Sequence, residues 1–519
     1  MHRLVAPLVL LAVSLAAFYA SNRLGNDPEI EPVVDPITAA EVPLLSARRL
    51  PEFLTEPLSR EELTESLSEV LDDSDDVTNL SCLTVRDNNE ELFSRQGNLA
   101  YTPASTQKIM TALAALIQLG PSHRFTTAVY ADAAPVGGVV ENLYLVGGGD
   151  PLLMTADYAR SFRGLTPDLW TNIDELADNV IGAGVTQING GVLSISGLYD
   201  EQRYPPGWPE RYATQGQAGP LGALMINDAF TSWPSTPSER EFADPLGVAT
   251  TERPGVHAAA LFDDLLEARN VIPARGQREA DSSVTTENLA LITTIESPPL
   301  SNVVTEMLRF SDNTTAELLT KHLGLAVSAS GSTAAGTNAI KMIIEDEGIA
   351  VFETPPADGS GLDPSNRLTC PQLVSMLDYP ETRDILAEAM PVAGESGTLA
   401  NRFVGSTARG NLRAKTGSLL NVTALAGYVT GSDGEPLTFA YIANLGPGQV
   451  LPDDFRDLQE PMGDALADYP VAPPVSVVAP PGATALPGGE GSLDLDGSGD
   501  GDDGDDAEDD AESGDEADG

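Results

Sequence analysis

Lysine is nearly absent from this chain. Of 519 residues only Lys108, Lys321, Lys341 and Lys415 are lysines, against 78 Asp and Glu. Each of the four therefore needs a reason beyond filling a solvated position. Cysteine is as scarce, with Cys82 and Cys370 alone, and the four histidines, His2, His123, His257 and His322, are scattered. No zinc-ligand spacing can be assembled from so few soft ligands, so no metal and no cofactor is called for. The two cysteines are read equally as a bridge or as two buried thiols. Basic residues are scarce overall: the formal net charge is −50, and 15 of the acidic side chains lie in residues 490–519. A field of that sign repels nucleic acid and anionic lipid and argues against both as partners. Aromatics make up only 5% of the residues, yet 41% are apolar, with 48 Gly and 39 Pro, which fits packed layers joined by many turns.

What is present divides the chain. Residues 1–25 begin with one Arg, Arg3, ahead of an apolar run from Leu4 to Ala20, and then polar residues that include Arg23. That pattern predicts an export signal, cleaved or retained as a membrane anchor, and hence an extracytoplasmic protein of the periplasm or cell envelope. Residues 26–45 are rich in Pro, Asp and Glu and read as a linker. A helix is expected over "SREELTESLSEVL", opened by a capping box of Ser59 and Glu62. "VTNLSCLTVRDNNEELFSRQG" predicts a hairpin turning at Asp87–Asn89. "YTPASTQKIMTALAALIQLG" predicts a helix with Ile109, Leu113, Leu116 and Ile117 on one face, stopped by Gly120 and Pro121. Between 125 and 295 short strands and brief helices are punctuated by Gly and Pro, which suggests an inserted domain. After it "LSNVVTEMLRFSDNTTAELLTKHLG" predicts helix, break and helix, the second capped by Thr314 with Glu317. "GNLRAKTGSLLNVTALAGYVTGSDGEPLTFAYIANLG" predicts an antiparallel meander. Strands at both ends with helices between them imply an antiparallel sheet covered by helices, its halves, 46–124 and 296–472, brought together around the insertion. From 473 to 519 a Pro-rich spacer and a polyanion have too little apolar surface to order themselves. Asp494, Asp496, Ser498, Gly499, Asp500 and Asp505 match calcium-loop offsets, but the sequence supplies no flanking helices for such a loop.

Two of the four lysines fall in short motifs with chemical content. A serine hydroxyl becomes a useful nucleophile when a base takes its proton, and a residue three positions along a helix lies on the same face. Ser105 and Lys108 have that spacing, and a helix N-terminus at Ser105 favours developing negative charge. Taken singly, Ser-x-x-Lys, the Ser-Asp-Asn of Ser311 to Asn313 and the Lys-Thr-Gly of Lys415 to Gly417 could be caps and a strand end. In this order they are the signature of penicillin-binding proteins and related β-lactamases. The remaining histidines sit near no Gly-x-Ser-x-Gly elbow, which leaves a lysine-assisted serine.

The chain resembles the D-alanyl-D-alanine carboxypeptidase/endopeptidases of the class C low-molecular-mass penicillin-binding proteins. The likeness rests on those motifs, on roughly two hundred residues between Ser105 and Ser311, and on "LVGGGDPLL", "DGSGL", "PVAGESGTLANRF" and "RAKTGSLLNVTALAGYV". It implies an α+β fold, a transpeptidase/β-lactamase-like domain interrupted by a large, mostly β domain with a smaller one nested inside it. It implies Ser105 as the acylated nucleophile, Lys108 as its general base and Ser311 as the proton relay. Asn313 would bind substrate backbone, Lys415 and Thr416 the terminal carboxylate, and the backbone N–H groups of Ser105 and Ser418, next to Gly417, would form the oxyanion hole. Peptidoglycan stem peptides are the implied substrates and β-lactams the implied covalent inhibitors. The sequence departs from the family after "DGSGL". A Ser-Arg-x-Asn run is common there, whereas this chain has Asp363, Pro364, Ser365 and Asn366, with the arginine only at Arg367. Two rival readings share the motifs: a module that binds peptidoglycan or β-lactam with little turnover, and a β-lactamase. The second would need a deacylating base, and no Glu-x-x-Leu-Asn run lies between Ser311 and Lys415.

Overall fold

The computed structural model describes residues 52–72, 80–88, 90–233, 248–351, 354–446 and 448–471. The export-signal, linker, tail and calcium-loop readings lie outside them. In chain order, the elements that build the site are as follows. Helix α1 (Glu52–Leu71) precedes the hairpin of β1 (Ser81–Asp87) and β2 (Glu90–Arg95), and helix α2 (Gln107–Leu119) comes next. Strands β3 (Thr126–Ala131) and β4 (Leu143–Val146), helix α3 (Ile173–Gly182), strand β5 (Val192–Ile195), helix α4 (Pro254–Glu267) and strands β6 (Arg278–Glu279) and β7 (Ala290–Glu296) follow. Helices α5 (Leu300–Phe310), α6 (Asn313–Ser328), α7 (Thr333–Asp346) and α8 (Cys370–Leu377) lead to strands β8 (Leu412–Leu419), β9 (Val422–Thr430) and β10 (Pro436–Asn444) and to helix α9 (Gln459–Asp468).

One sheet has the order β8-β9-β10-β1-β2, antiparallel throughout, so the last strands pair with the first: Ser81 lies opposite Ala443 and Asp87 opposite Leu437. Side-chain alternation gives it two buried faces. Ala424, Ala426, Ala440 and Ile442 face α2, α5, α6 and α8, whereas Leu425, Phe439 and Tyr441 pack with Leu63, Leu67 and Leu71 of α1 and Leu466 of α9. Alanines on the first face let α8 approach closely. The four-residue spacing of Leu63, Leu67 and Leu71 makes one buried stripe on α1, worth roughly 1.5–3 kcal/mol per side chain.

The cysteines form a disulfide, Cys82–Cys370, which joins β1 to the first residue of α8 across 288 residues of sequence. Sequence alone left that pairing open because it depends on a distance between elements far apart in the chain. Two caps differ from expectation. Helix α1 begins before Ser59, whose hydroxyl instead donates to the Val471 carbonyl at 2.6 Å, so no capping box forms with Glu62. Helix α6 is capped by Asp312, whose carboxylate accepts from the Thr315 N–H at 2.6 Å, while Thr314 lies inside the helix.

Five strands between 126 and 296, beside shorter ones that pair two by two, form a second sheet of order β6-β5-β4-β3-β7. It is mixed: β6-β5 and β5-β4 are parallel, β4-β3 and β3-β7 antiparallel. Parallel neighbours need crossovers, and β4 reaches β5 through α3. Helix α4, 14 residues long, exceeds the brief helices expected there, and its Ala258, Ala259 and Phe262 are fully buried on this sheet's core with Val129 and Leu145.

Candidate active site

Ser105 lies on a single turn of 3-10 helix, Ala104–Thr106, directly ahead of α2. Ala104 holds a left-handed φ of 47°, and Gly361 packs so close to its carbonyl that a Cβ there would come within 1.9 Å. This tight turn aims the serine out of the helix start. One turn on, Lys108 is completely buried. Its Nζ donates to Ser105 Oγ at 3.0 Å, Asn313 Oδ1 at 2.7 Å and the Ser360 carbonyl at 2.7 Å. All three partners are neutral. Burial pulls the Lys108 pKa down to about 8, against the opposing pull of Asp358, Asp312, Glu317 and Glu306.

The second motif occupies the break between α5 and α6. Ser311 closes α5 in the left-handed region, φ 60°, and accepts a hydrogen bond from Lys415 Nζ at 2.8 Å. Asn313 opens α6 and donates to the Gln217 carbonyl at 2.7 Å. The third motif lies within edge strand β8 rather than at its entry. Lys415 is also completely buried and donates to the Thr416 carbonyl at 2.9 Å. Burial, with Lys108 nearby, holds its pKa well below the ordinary lysine range. Gly417 faces the nucleophile turn, where a Cβ would come within 2.7 Å of the Pro103 carbonyl, so a side chain would push β8 away from Ser105. Thr416 Oγ1 donates to Thr398 Oγ1 at 2.9 Å, and Ser418 is exposed on the strand opposite Thr423. Lys108 thus bonds Ser105 and Asn313, and Lys415 bonds Ser311, so the two lysines gather the three motifs although 310 positions separate Ser105 from Lys415.

Several supporting residues make contacts that the sequence did not reveal. Glu317, expected as part of a cap, instead accepts from the Gly359 and Ser360 N–H groups at 3.1 and 2.8 Å, fixing the carbonyl that Lys108 uses. Burial pushes the Glu317 pKa up to about 8. Asp358 organises the same loop, accepting from Gly361 N at 2.8 Å, Asp363 N at 2.6 Å, Asn366 Nδ2 at 2.7 Å and Trp208 Nε1 at 2.8 Å. The displaced Arg367 donates to Thr102 Oγ1 at 2.9 Å and to the Pro364 carbonyl at 2.7 Å, tying this loop to the segment that enters the nucleophile turn.

A profile of the D-Ala-D-Ala carboxypeptidase 3 (S13) family matches residues 63–260 and 251–468. A D-alanyl-D-alanine carboxypeptidase of Actinomadura sp. is 30% identical over 493 residues, covering 83% of this chain and 89% of that relative. The carboxypeptidase DacB of Mycolicibacterium smegmatis is 30% identical over 461 residues, covering 85% and 92%. The crystal structure of penicillin binding protein 4 from Haemophilus influenzae superposes with a TM-score of 0.63 at 21% identity, over 78% of this chain and 99% of that one, which establishes the transpeptidase/β-lactamase-like fold. The chain belongs to the D-Ala-D-Ala carboxypeptidase 3 (S13) family and is a serine-type D-Ala-D-Ala carboxypeptidase.

Proposed function

We propose that the enzyme cleaves the terminal D-Ala-D-Ala bond of peptidoglycan stem peptides through an acyl-enzyme on Ser105, and that it also cleaves cross-links whose scissile bond has the same D,D configuration. The carrying observation is Lys108: a fully buried amine 3.0 Å from Ser105 Oγ with neutral hydrogen-bond partners only. In its neutral form it takes the Ser105 proton as Oγ attacks the carbonyl carbon. The N–H groups of Ser105 and Ser418 receive the oxyanion. The leaving amine collects its proton through Ser311, and water then hydrolyses the ester. Asn313 aligns the substrate backbone. Lys415 and Thr416 take the terminal carboxylate, and Gly417 keeps β8 close enough for the acyl carbonyl to reach both hydrogen-bond donors.

The two lysines share a low-dielectric pocket and disfavour each other's charge. A substrate carboxylate seated against Lys415 raises that lysine's proton affinity and leaves Lys108 as the neutral partner. β-Lactams would acylate the same serine; the Haemophilus influenzae protein has been solved in complex with a β-lactam. In the opened drug the leaving group stays tethered and blocks the water path that departing D-alanine vacates. We further propose the division of the chain into an export signal or anchor (1–25), a linker (26–45), a catalytic domain in two parts (46–124 and 296–472), an insertion (125–295) and a tail (473–519). Such a protein would work in the cell envelope.

Fluorescent-penicillin labelling and D-alanine release from a diacyl-D-Ala-D-Ala peptide test the reading together. The expected result is a penicillin adduct lasting minutes or longer, lost in Ser105→Ala, beside peptide turnover of roughly 1–1000 per second. Rapid penicillin turnover without D-alanine release would assign a β-lactamase instead, and an adduct retained in Ser105→Ala would remove Ser105 as the nucleophile.

A further inference from the structure

Arg163 is buried far from any motif, yet it reaches the second one. Its Nη1 lies 2.8 Å from Asp228 Oδ2 and 2.6 Å from Asp312 Oδ2, and its Nη2 bonds Glu306. The Arg163 side chain is 2% exposed, and those of Asp228, Asp312 and Glu306 are 4%, 8% and 0% exposed. An arginine buried among three carboxylates stabilises a fold poorly compared with apolar packing. Asp228 is moreover the middle of three consecutive residues with left-handed φ, Asn227, Asp228 and Ala229 at 57°, 54° and 55°, a conformation L residues adopt only when their surroundings impose it. The surroundings do so here. Asn227 Oδ1 accepts from Thr155 N at 2.8 Å, Tyr158 Oη donates to Asp228 at 2.5 Å, and Gly219 lies so close that a Cβ would come within 1.8 Å of the Asp228 carbonyl.

Arg163 and the 217–219 segment together hold three successive residues, Asp312, Asn313 and Thr314. Arg163 holds Asp312, the Gln217 carbonyl accepts from Asn313 Nδ2 at 2.7 Å, and Gly219 N–H donates to Thr314 Oγ1 at 3.1 Å. Asp312 in turn caps α6 through Thr315 N, directly after Ser311. We propose that Arg163 is a positioning residue for acyl transfer: through Asp312 it fixes the turn that carries Ser311 and Asn313, and its charge offsets the carboxylates that face Lys108. The acidic groups facing that lysine are Asp358, Asp312, Glu317 and Glu306, of which burial pushes the Glu306 pKa up to about 8 against the pull of Arg163, and Lys415 is the neighbouring amine. Arg163 itself faces Asp312, Glu306 and Asp228, with the Tyr158 hydroxyl beside them. Loss of its charge leaves Asp312 uncompensated, so Lys108 keeps its proton to higher pH. Loss of the Asp312 charge acts in the opposite sense.

This inference rests on the proposed roles of Lys108 and Ser311, which penicillin labelling of the unaltered protein and of Ser105→Ala tests separately. For Arg163 the measurement is kcat and KM for D-alanine release, together with the pH profile of penicillin acylation, on Arg163→Met, Arg163→Lys and Asp312→Asn, with melting temperature as the check on folding. In Arg163→Met we expect kcat to fall about tenfold to a hundredfold with KM nearly constant, as for a small misplacement of a proton relay, and the acidic limb to move to higher pH. Asp312→Asn should move that limb to lower pH, and Arg163→Lys should restore its position while recovering only part of kcat, because one ammonium cannot hold Asp228 and Asp312 in the guanidinium geometry. If Arg163→Met does not fold, the other two variants decide. Native kcat in Arg163→Lys or an upward limb shift in Asp312→Asn would overturn the proposal, as would an Arg163→Met enzyme that loses only melting temperature.

Discussion

Lys108 and Lys321 are both fully buried, and their surroundings differ in one respect. Lys321, on α6, forms an ion pair with Asp200 and donates to the Gln202 carbonyl at 3.1 Å, which ties the 200–202 segment to the helix. Lys108 has a hydroxyl, an amide oxygen and a carbonyl oxygen in reach, and its carboxylate neighbours act only through space. A buried lysine paired with a carboxylate serves structure. A buried ammonium given only neutral acceptors is held near its titration point and serves proton transfer. Lys415 belongs with Lys108, bonded to Ser311 Oγ and a carbonyl. Lys341 completes the set as a surface partner of Glu345 one helical turn away. The scarcity of lysine in the sequence thus resolves into two residues of the site, one internal tie and one helix-surface pair.

The comparison breaks most visibly at Lys108. Lys108→Met should lower penicillin acylation by about a hundredfold to ten-thousandfold, the usual loss for a general base. Its melting temperature should be unchanged or higher, because replacing a buried charge by an apolar side chain of similar volume is commonly neutral or stabilising. Acylation at the native rate would assign the base elsewhere. Lys321→Met should do the reverse, leaving acylation per folded molecule unchanged while unpairing Asp200. Asp200 is 36% exposed, so water shares the cost and the expected loss is about 1–3 kcal/mol in denaturant unfolding. Equal losses of activity and stability in both variants would erase the distinction between the two lysines.

The pH profile sharpens the contrast. In the proposed role Lys108 reacts in its unprotonated form, and burial lowers its pKa to about 8, so the neutral fraction grows as pH rises. Acylation by penicillin should climb with pH by up to a factor of ten per unit below that value and level off above it. A rate that falls between pH 6 and 8 would contradict a lysine base.

The legible parts of the site were those written in adjacent residues. Ser105 and Lys108 share one helical turn, Ser311 and Asn313 one break, Lys415 to Gly417 one strand. The antiparallel meander was legible because its apolar runs are separated by short breaks, among them the glycine-bearing 431–435 between β9 and β10. Contacts that join distant segments were not. Arg163, Gln217 and Asp228 are single residues in irregular backbone, and nothing local marks them as neighbours of Asp312. The expected caps failed for a related reason. Ser59 with Glu62 and Thr314 with Glu317 have capping-box spacing, but tertiary partners claimed Ser59, Thr314 and Glu317: a carbonyl at Val471, the Gly219 N–H and the Gly359–Ser360 loop. Asp312, directly before α6, carries the side-chain type that cap positions favour and could have been chosen on that ground.

Thr398 offers the finest test of how far this network of neutral partners extends. It lies in a resemblance stretch that was visible as a whole, though nothing in the stretch singled it out. It sits on the turn Gly397–Leu399, where Gly397 has φ 57° and packs against the Arg309 carbonyl, to which a Cβ would come within 2.3 Å. The turn is therefore held in place by backbone, and Thr398→Val keeps its shape while removing the oxygen that accepts from Thr416 Oγ1. The Thr416 hydroxyl then loses its fixed orientation, and in the proposed binding mode the substrate carboxylate loses an ordered partner. A hydrogen bond of this kind contributes about 0.5–1.5 kcal/mol, roughly a twofold to tenfold change. Because the carboxylate is bound equally before and during reaction, the change should appear as a raised KM at constant kcat. A peptide ending in an amide, which lacks that carboxylate, should show no difference between the two enzymes. A kcat loss at unchanged KM would place Thr398 in the transition-state network instead, alongside Ser311 and Lys415.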